Sequence, residues 1–107
     1  MINMNMQKLM MEAQRMQAKL QKEQEELEKT NYEGSSSLVT VVLNGKKEVK
    51  SVKINIEEDI TKEDVEMLED MILVAINDAV KKADADKEKR LGKYSQGLTG
   101  LMLDVSK

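Results

Sequence analysis

The stretch MILVAI, residues 71–76, places six apolar residues in a row inside a segment, 66–79, that otherwise has the charged pattern of an amphipathic helix. A helix that is apolar on more than one face needs more than one surface to bury it. The chain has no phenylalanine, no tryptophan and only two tyrosines, so one copy offers few large side chains for a core around this helix. The sequence therefore predicts an obligate oligomer, and we expect a homodimer.

The helix that contains this stretch is predicted over residues 61–91. Thr61 can cap its start, and Asp64 three residues later completes a capping box. One apolar stripe runs along it, formed by Val65, Leu68, Ile72, Ala75, Ile76, Ala79 and Ala83. A second set of apolar residues provides the surface that we assign to the dimer interface: Met67, Met71, Leu73, Val74 and Val80.

A first long helix is predicted over residues 3–28, where proline and glycine are absent and apolar residues recur every three or four positions. Its seam consists of Met6, Leu9, Ala13, Met16, Leu20 and Leu27, interrupted by Glu23. At about 1.5 Å per residue this helix would be close to 40 Å long, which exceeds the width of so small a domain. We therefore expect one end of it to project.

Residues 29–56, between the helices, are predicted to form an antiparallel sheet of two or three strands. Residues 34–37 read Gly-Ser-Ser-Ser and predict a turn, and Asn44-Gly45 is a strong hairpin signal. Val49 and Val52 differ in parity, so they lie on opposite faces of the sheet unless a bulge intervenes near Lys50-Ser51. The fold class is thus α+β, in a single domain of 107 residues.

Three glycines follow the second helix and predict that residues 92–107 are a flexible tail: Gly92, Gly97 and Gly100. The tail carries a small apolar set, Leu98, Leu101, Met102, Leu103 and Val105, that could dock on a neighbour.

Composition excludes most catalytic and metal chemistry. Histidine and cysteine are absent, Gly34 and Gly45 are isolated rather than part of a phosphate cradle, and the acids of residues 57–70 suit a helix start rather than a calcium loop. We expect no catalytic residue, no metal, no cofactor and no small-molecule substrate. The longest apolar run is far below the roughly 18 residues of a membrane span, and no signal peptide is recognisable, so a cytoplasmic protein without a membrane partner is expected.

The net charge of −3 argues mildly against a polyanionic partner, but the charges are segregated along the chain. Four cations, Lys8, Arg15, Lys19 and Lys22, fall in one stripe along the first helix, and residues 81–93 form a second basic cluster. Such a stripe can follow duplex phosphates, whereas the lack of aromatic residues disfavours single-strand readers. Both clusters are also compatible with ordinary solvated helix faces, and the N-terminal methionines with core filling.

Several short motifs, taken in order, resemble the YbaB/EbfC family of bacterial nucleoid-associated proteins over about residues 6–100. They are Ala13-Gln14-Arg15-Met16-Gln17, Glu33-Gly34, Val39-x-Val41, Asn44-Gly45, Val52-x-Ile54, Met67-Leu68-Glu69-Asp70 and Ala75-Ile76-Asn77-Asp78-Ala79. The resemblance implies a helix, a small antiparallel sheet and a second long helix, paired into a homodimer whose arms project like tweezers. It also implies binding of double-stranded DNA in the nucleoid.

Carried over by position, the DNA-binding candidates are Lys8, Arg15, Lys19 and Lys22 in the first helix and Lys82, Lys87, Lys89, Arg90 and Lys93 in the second. The alternative is a protein–protein interaction module. In that case the methionine-rich helix and the apolar tail would hold a partner protein, and the basic residues would only keep the protein soluble.

Overall fold

The computed structural model describes residues 4–106, and the side chains of residues 5–94. Helix α1 spans Met4–Lys29, and three strands follow: β1 Asn31–Ser36, β2 Val39–Asn44 and β3 Val49–Ile54. Helix α2 spans Lys62–Ser106. The strands form one antiparallel sheet in the order β1-β2-β3. The predicted α+β class, with two long helices around a small sheet, is confirmed.

Helix α2 packs across β1 and β2 and forms the core with them. The strands contribute fully buried Val39, Val41 and Leu43, and the helix contributes the small residues Ala75 and Ala79. Small side chains at these positions let the helix backbone approach the sheet closely, which compensates for the absence of phenylalanine and tryptophan.

Gly34 shows how close this approach is. A Cβ atom at Gly34 would lie 2.2 Å from the carbonyl oxygen of Ala75 and 2.3 Å from the backbone nitrogen of Ala79. Only a glycine fits at this place in β1. The turn predicted over residues 34–37 is wrong in its position. The chain turns at Ser37 and Leu38, where Ser37 takes a positive φ of 50°.

The hairpin predicted at Asn44-Gly45 is present, with a four-residue loop over 45–48. The positive φ of this loop, 65°, falls on Lys47 rather than on Gly45. Gly45 provides space instead, since a Cβ there would lie 2.0 Å from the carbonyl oxygen of Leu27. Of the two arrangements left open for Val49 and Val52, the structure has the bulge, because the β2–β3 register passes over Lys50.

Helix α2 continues to Ser106. The predicted helix end at residue 91 is therefore wrong. A single glycine costs a helix about 1 kcal/mol relative to alanine, which weakens a helix without ending it. The chain also has no proline that would stop the helix after Gly92. The side chains of the apolar set at 98–105 lie outside the described side chains.

The order of the elements gives the sheet two different ends. At the arm end, α1 enters β1, the loop 45–48 joins β2 to β3, and α2 leaves the sheet alongside α1. At the far end lie the β1–β2 turn, the connection from β3 to α2, and the acidic residues of that connection. The molecule measures 78 × 27 × 14 Å, so the helices extend well beyond the sheet.

Candidate nucleic-acid interface

The outer part of α1, residues 5–19, is exposed on every side. The four cations of the predicted stripe, Lys8, Arg15, Lys19 and Lys22, are all exposed. Within the part of the chain that the structure describes, none of them forms an ion pair or a side-chain hydrogen bond. Their charges are therefore open to solvent and not neutralised by a partner within the described residues.

The inner part of α1 is held differently. Leu27 is buried among Tyr32, Leu43, Ala79 and Ala83, where α1, the sheet and α2 meet. Glu23, which interrupts the predicted seam, faces a cation on α2 rather than an apolar partner. The seam of α1 is thus buried only near its C-terminal end, since Met6, Leu9 and Met16 stay exposed.

A polar network ties the three elements together at this junction. The Tyr32 hydroxyl donates a hydrogen bond to Asp86, which also accepts one of 2.9 Å from Arg90 Nε. Arg90 Nη1 lies 3.8 Å from Glu23 and 3.9 Å from Glu26 of α1. We call these five residues the junction network. The charged half of α2 therefore packs against polar side chains of α1 and β1.

The pKa values of the network follow from its burial and hydrogen bonding. Burial raises the pKa of Tyr32 to about 12, and the hydrogen bond to the Asp86 carboxylate contributes in the same direction. The hydrogen bond from Tyr32 lowers the pKa of Asp86, and the nearby Arg90 charge adds to this effect. The network is therefore stable as a neutral phenol beside an ionised carboxylate.

The second predicted cluster is divided by the structure. Arg90 belongs to the junction network, and Lys82 Nζ donates a hydrogen bond of 2.9 Å to the Glu33 carbonyl and lies 3.5 Å from Asp78. Lys87 and Lys89 are exposed, and Lys93 Nζ lies 5.1 Å from the ring centroid of Tyr94. Arg90 and Lys82 thus have partners within the chain.

One cleft unites cations from both predicted clusters. It has a volume of about 360 Å³ and is lined by Lys19, Lys22, Glu23, Glu26, Lys93 and Tyr94. The two glutamates also lie near Arg90, whose single charge offsets only part of theirs, because Arg90 pairs with Asp86 as well. The arm cleft therefore presents three lysines from two helices, a convergence that the sequence could not show because the register of α1 on α2 was unknown.

The residues predicted for the dimer interface do not form one patch. Met67, Leu73 and Val74 are exposed, whereas Met71 and Val80 pack against the core of their own chain. With 100° per residue, Leu73 and Val80 fall on one side of α2, and Met67 and Val74 fall on the other.

An apolar surface on β3 was missed. Val49, Val52 and Ile54 are between 39% and 47% exposed, although the register pairs them with the fully buried Leu43, Val41 and Val39. Paired residues of antiparallel strands point to the same face, so this face of β3 continues the core face. Helix α2 covers β1 and β2 and leaves this face of β3 exposed to solvent. The alternation of apolar residues was visible in the sequence, but the extent of the helix cover was not.

Other kinds of site are not indicated in the described part of the chain. Its side chains include no group of three or more acids placed to hold a metal ion. None of its helices combines the length and apolar content that a membrane crossing requires.

The fold and its charges define a small α+β protein that presents unpaired cations on a helix projecting from a sheet. Comparison with known proteins assigns the family. The model of the YbaB/EbfC DNA-binding family matches residues 2–98, and the chain belongs to this family.

Individual relatives agree. A nucleoid-associated protein of Chloroflexus aurantiacus is 47% identical over 100 residues, covering 92% of this chain and 99% of that protein. Proteins of the same description from Ligilactobacillus salivarius and Legionella pneumophila are 39% and 40% identical, and the alignments cover 92% and 96% of this chain and 95% of each relative. The resemblance stated from the motifs is confirmed.

Proposed function

We propose that this chain is a nucleoid-associated protein of the bacterial cytoplasm that binds duplex DNA as a homodimer through its basic helical arms, without catalysis. The observation that carries the proposal is the arm cleft, where Lys19, Lys22 and Lys93 converge beside two glutamates. Family membership supports DNA as the partner.

The geometry of α1 suits a phosphate backbone. Lys8 and Lys22 are 14 residues apart, about 21 Å along the helix axis. A duplex carries one phosphate charge per about 1.7 Å of its axis, so several phosphates lie within reach of one stripe. The chain's net charge of −3 opposes the approach of DNA, and we therefore expect weak, strongly salt-dependent binding rather than tight recognition.

The dimer is supported by apolar surface that one chain leaves open. Val49, Val52 and Ile54 on β3 are exposed beside α2, whose Leu73 is 60% exposed. A second copy that covers this surface would remove it from water, and burial of apolar area is the main driving force of association. We propose the apolar face of β3 and the Leu73 side of α2 as one part of the interface. Met67 and Val74, named from the sequence, lie on the other side of α2 and are proposed as a separate part, to which Met71 and Val80 contribute through their exposed fraction.

Light scattering at micromolar concentration tests the dimer. The expected mass is twice the 12.2 kDa of one chain. Val52→Glu should shift the mass toward one chain, because it places a charge on the proposed interface. A wild-type mass of a single chain would contradict the homodimer.

DNA binding is tested by fluorescence anisotropy of a labelled duplex at several salt concentrations. Replacement of Lys19, Lys22 and Lys93 by glutamine should remove three phosphate contacts. The slope of log K against log salt should then become less steep by about 2.7, at 0.9 per contact. Wild-type protein should bind saturably at low salt and weaken as salt rises.

The matched control replaces Lys53, Lys62 and Lys81 by glutamine. These lysines are exposed, lie outside the arm cleft, and change the net charge by the same amount. The control should keep the wild-type slope. Equal losses in both triple variants would show that only mean charge matters, and the absence of wild-type binding at low salt would overturn the proposal.

A protein–protein interaction module is the second candidate. It is favoured by the exposure of Met6, Met10 and Met11, since about 60% of each residue is open to solvent. Methionine surfaces adapt to several protein partners. This function predicts no salt-dependent affinity for DNA in the anisotropy experiment.

A further inference from the structure

The loop 45–48 and the start of β3 carry cations that neither predicted cluster included. Lys46, Lys47 and Lys50 lie within six residues of each other, with Glu48 as the single acid between them. All three lysines are exposed. Since β2 ends and β3 begins at the arm end of the sheet, these charges lie beside the base of the arm.

Two contacts fix this position. Gly45 touches the last turn of α1, because a Cβ there would lie 2.0 Å from the Leu27 carbonyl oxygen. Lys47 Nζ forms an ion pair of 2.7 Å with Asp84 of α2. The loop therefore bridges the two helices at the point where they leave the sheet, and Lys47 is committed to this structural role.

The loop is also held rigidly. Asn44 is buried, and its Oδ1 accepts hydrogen bonds of 3.0 Å from the backbone nitrogens of Lys46 and Glu48. Its Nδ2 donates a hydrogen bond of 3.1 Å to the Glu48 carboxylate, and Lys47 N donates one of 2.9 Å to the Asn44 carbonyl. A loop fixed in this way loses little conformational entropy when it meets a ligand.

Lys46 and Lys50 remain for a ligand. They line an open cleft of about 410 Å³ with Lys29, Glu28, Asn31, Asn44 and Glu48. Neither forms an ion pair within the described side chains. The Asn44 hydrogen bond lowers the pKa of Glu48, and the charges of Lys50 and Lys46 contribute, so the carboxylate is ionised and already occupied by the asparagine amide. The cleft keeps three lysines against two glutamates.

The far end of the sheet has the opposite character. A groove there is lined by Glu57, Glu58, Asp59 and Asp64 together with apolar residues. The far end therefore repels a polyanion, whereas the loop lysines face the arm end, where the helices project. Lysines 46–50 and acids 57–64 are close together along the chain. Strand β3 separates them in space, so this polarity arises from the topology and not from the sequence distance.

We propose that the cleft of Lys29, Lys46 and Lys50 is an additional phosphate-binding site, which contacts the backbone of the same duplex that the arms hold. The inference rests on the proposed function and adds the base of the arm to its interface. The duplex would lie against the arm end of the sheet, with the arms along it. The ligand chemistry is backbone phosphate, without readout of base sequence.

The test is the double variant Lys46→Gln/Lys50→Gln in the full chain, titrated with a labelled duplex. Loss of two phosphate contacts should make the salt slope less steep by about 1.8. The ratio of wild-type to variant association constants should accordingly fall about twelvefold between 50 and 200 mM salt. Melting temperature and mass by light scattering should match those of the wild-type protein.

The control is Lys53→Gln/Lys62→Gln, which removes the same charge from exposed positions outside the cleft. It should keep the wild-type slope. A second readout is lysine acetylation followed by mass spectrometry, in which bound DNA should protect Lys46 and Lys50 but not Lys62.

The possible failures are distinguishable. Wild-type binding that depends on the arm lysines, with equal slopes for the loop variant and its control and no protection of Lys46 and Lys50, overturns the additional site and leaves the arms in place. Absence of wild-type binding at low salt overturns the proposed function and this site with it.

Discussion

The outer part of α1 and the junction at its base are built on opposite principles, and the two arginines of the chain show the difference. Arg15 is exposed and unpaired among the described residues, whereas Arg90 is surrounded by Asp86, Glu23 and Glu26. A cation with carboxylate partners stabilises the fold and has little charge left for a ligand. The comparison teaches that a basic cluster in a sequence combines residues of both kinds, which only their contacts separate.

The largest effect is expected at Gly34, where strand β1 contacts the backbone of helix α2 directly. Gly34→Ala should lower the free energy of unfolding by about 3 kcal/mol or more, because the Cβ would meet backbone atoms of α2 that cannot move aside. Urea denaturation at matched protein concentration measures this loss. Gly92→Ala serves as the control on α2 beyond the sheet. There the Cβ meets only the flexible Glu88 side chain at 3.0 Å, so a gain of up to about 1 kcal/mol is expected. Equal losses in both variants would contradict the distinction.

A smaller effect is expected from the junction network. Tyr32→Phe removes one hydrogen bond to an ionised group and should cost about 1.5 to 3 kcal/mol of stability at pH 7. The folded pKa of Tyr32, about 12, is raised above the unfolded value near 10. The contribution is therefore complete below pH 10 and is lost as the pH rises toward 12. The difference between wild type and variant should shrink over that range.

Denaturation curves at pH 7 and pH 11.5 measure this dependence, with Tyr94→Phe as the control. At acid pH the sign reverses for Asp86, whose folded pKa is lowered. Its contribution is present above about pH 4 and is lost as the pH falls through the folded pKa. A Tyr32→Phe deficit that stays constant up to pH 11.5 would remove the hydroxyl from the network.

The smallest effect on stability, and the sharpest contrast, concerns the two arginines. Arg15→Gln should leave stability within about 0.5 kcal/mol of wild type while making the DNA salt slope less steep by about 0.9. Arg90→Gln, combined with Glu26→Gln to keep the charge constant, should lower the melting temperature and keep the slope. Thermal melts and anisotropy titrations on the same preparations give both values. An unchanged slope for Arg15→Gln would take that residue out of the interface.

Much of the fold follows from local sequence patterns. The spacing of apolar residues, the Thr61 cap and the Asn44-Gly45 signal gave two helices and a hairpin because propensity and capping act within a few residues. One error arose where distant elements meet, and another from the weight given to a single glycine. Gly34 looks like a turn residue but lies in strand β1. A glycine is needed there because the backbone of helix α2 lies against it. Gly92 looks like a helix end, but single glycines only weaken a helix.

The sequence by itself determined the class of chemistry. Without histidine or cysteine it excluded imidazole and thiolate sites, and its segregated charges and motifs pointed to a DNA-binding family that the comparisons confirmed. Tertiary structure decided which charges are available. Pairing depends on distances between α1, the loop 45–48 and α2, and the register of antiparallel elements sets these distances. That register grouped Lys19, Lys22 and Lys93 in one cleft and surrounded Arg90 with carboxylates. It also placed the loop lysines and the acidic connection at opposite ends of the sheet.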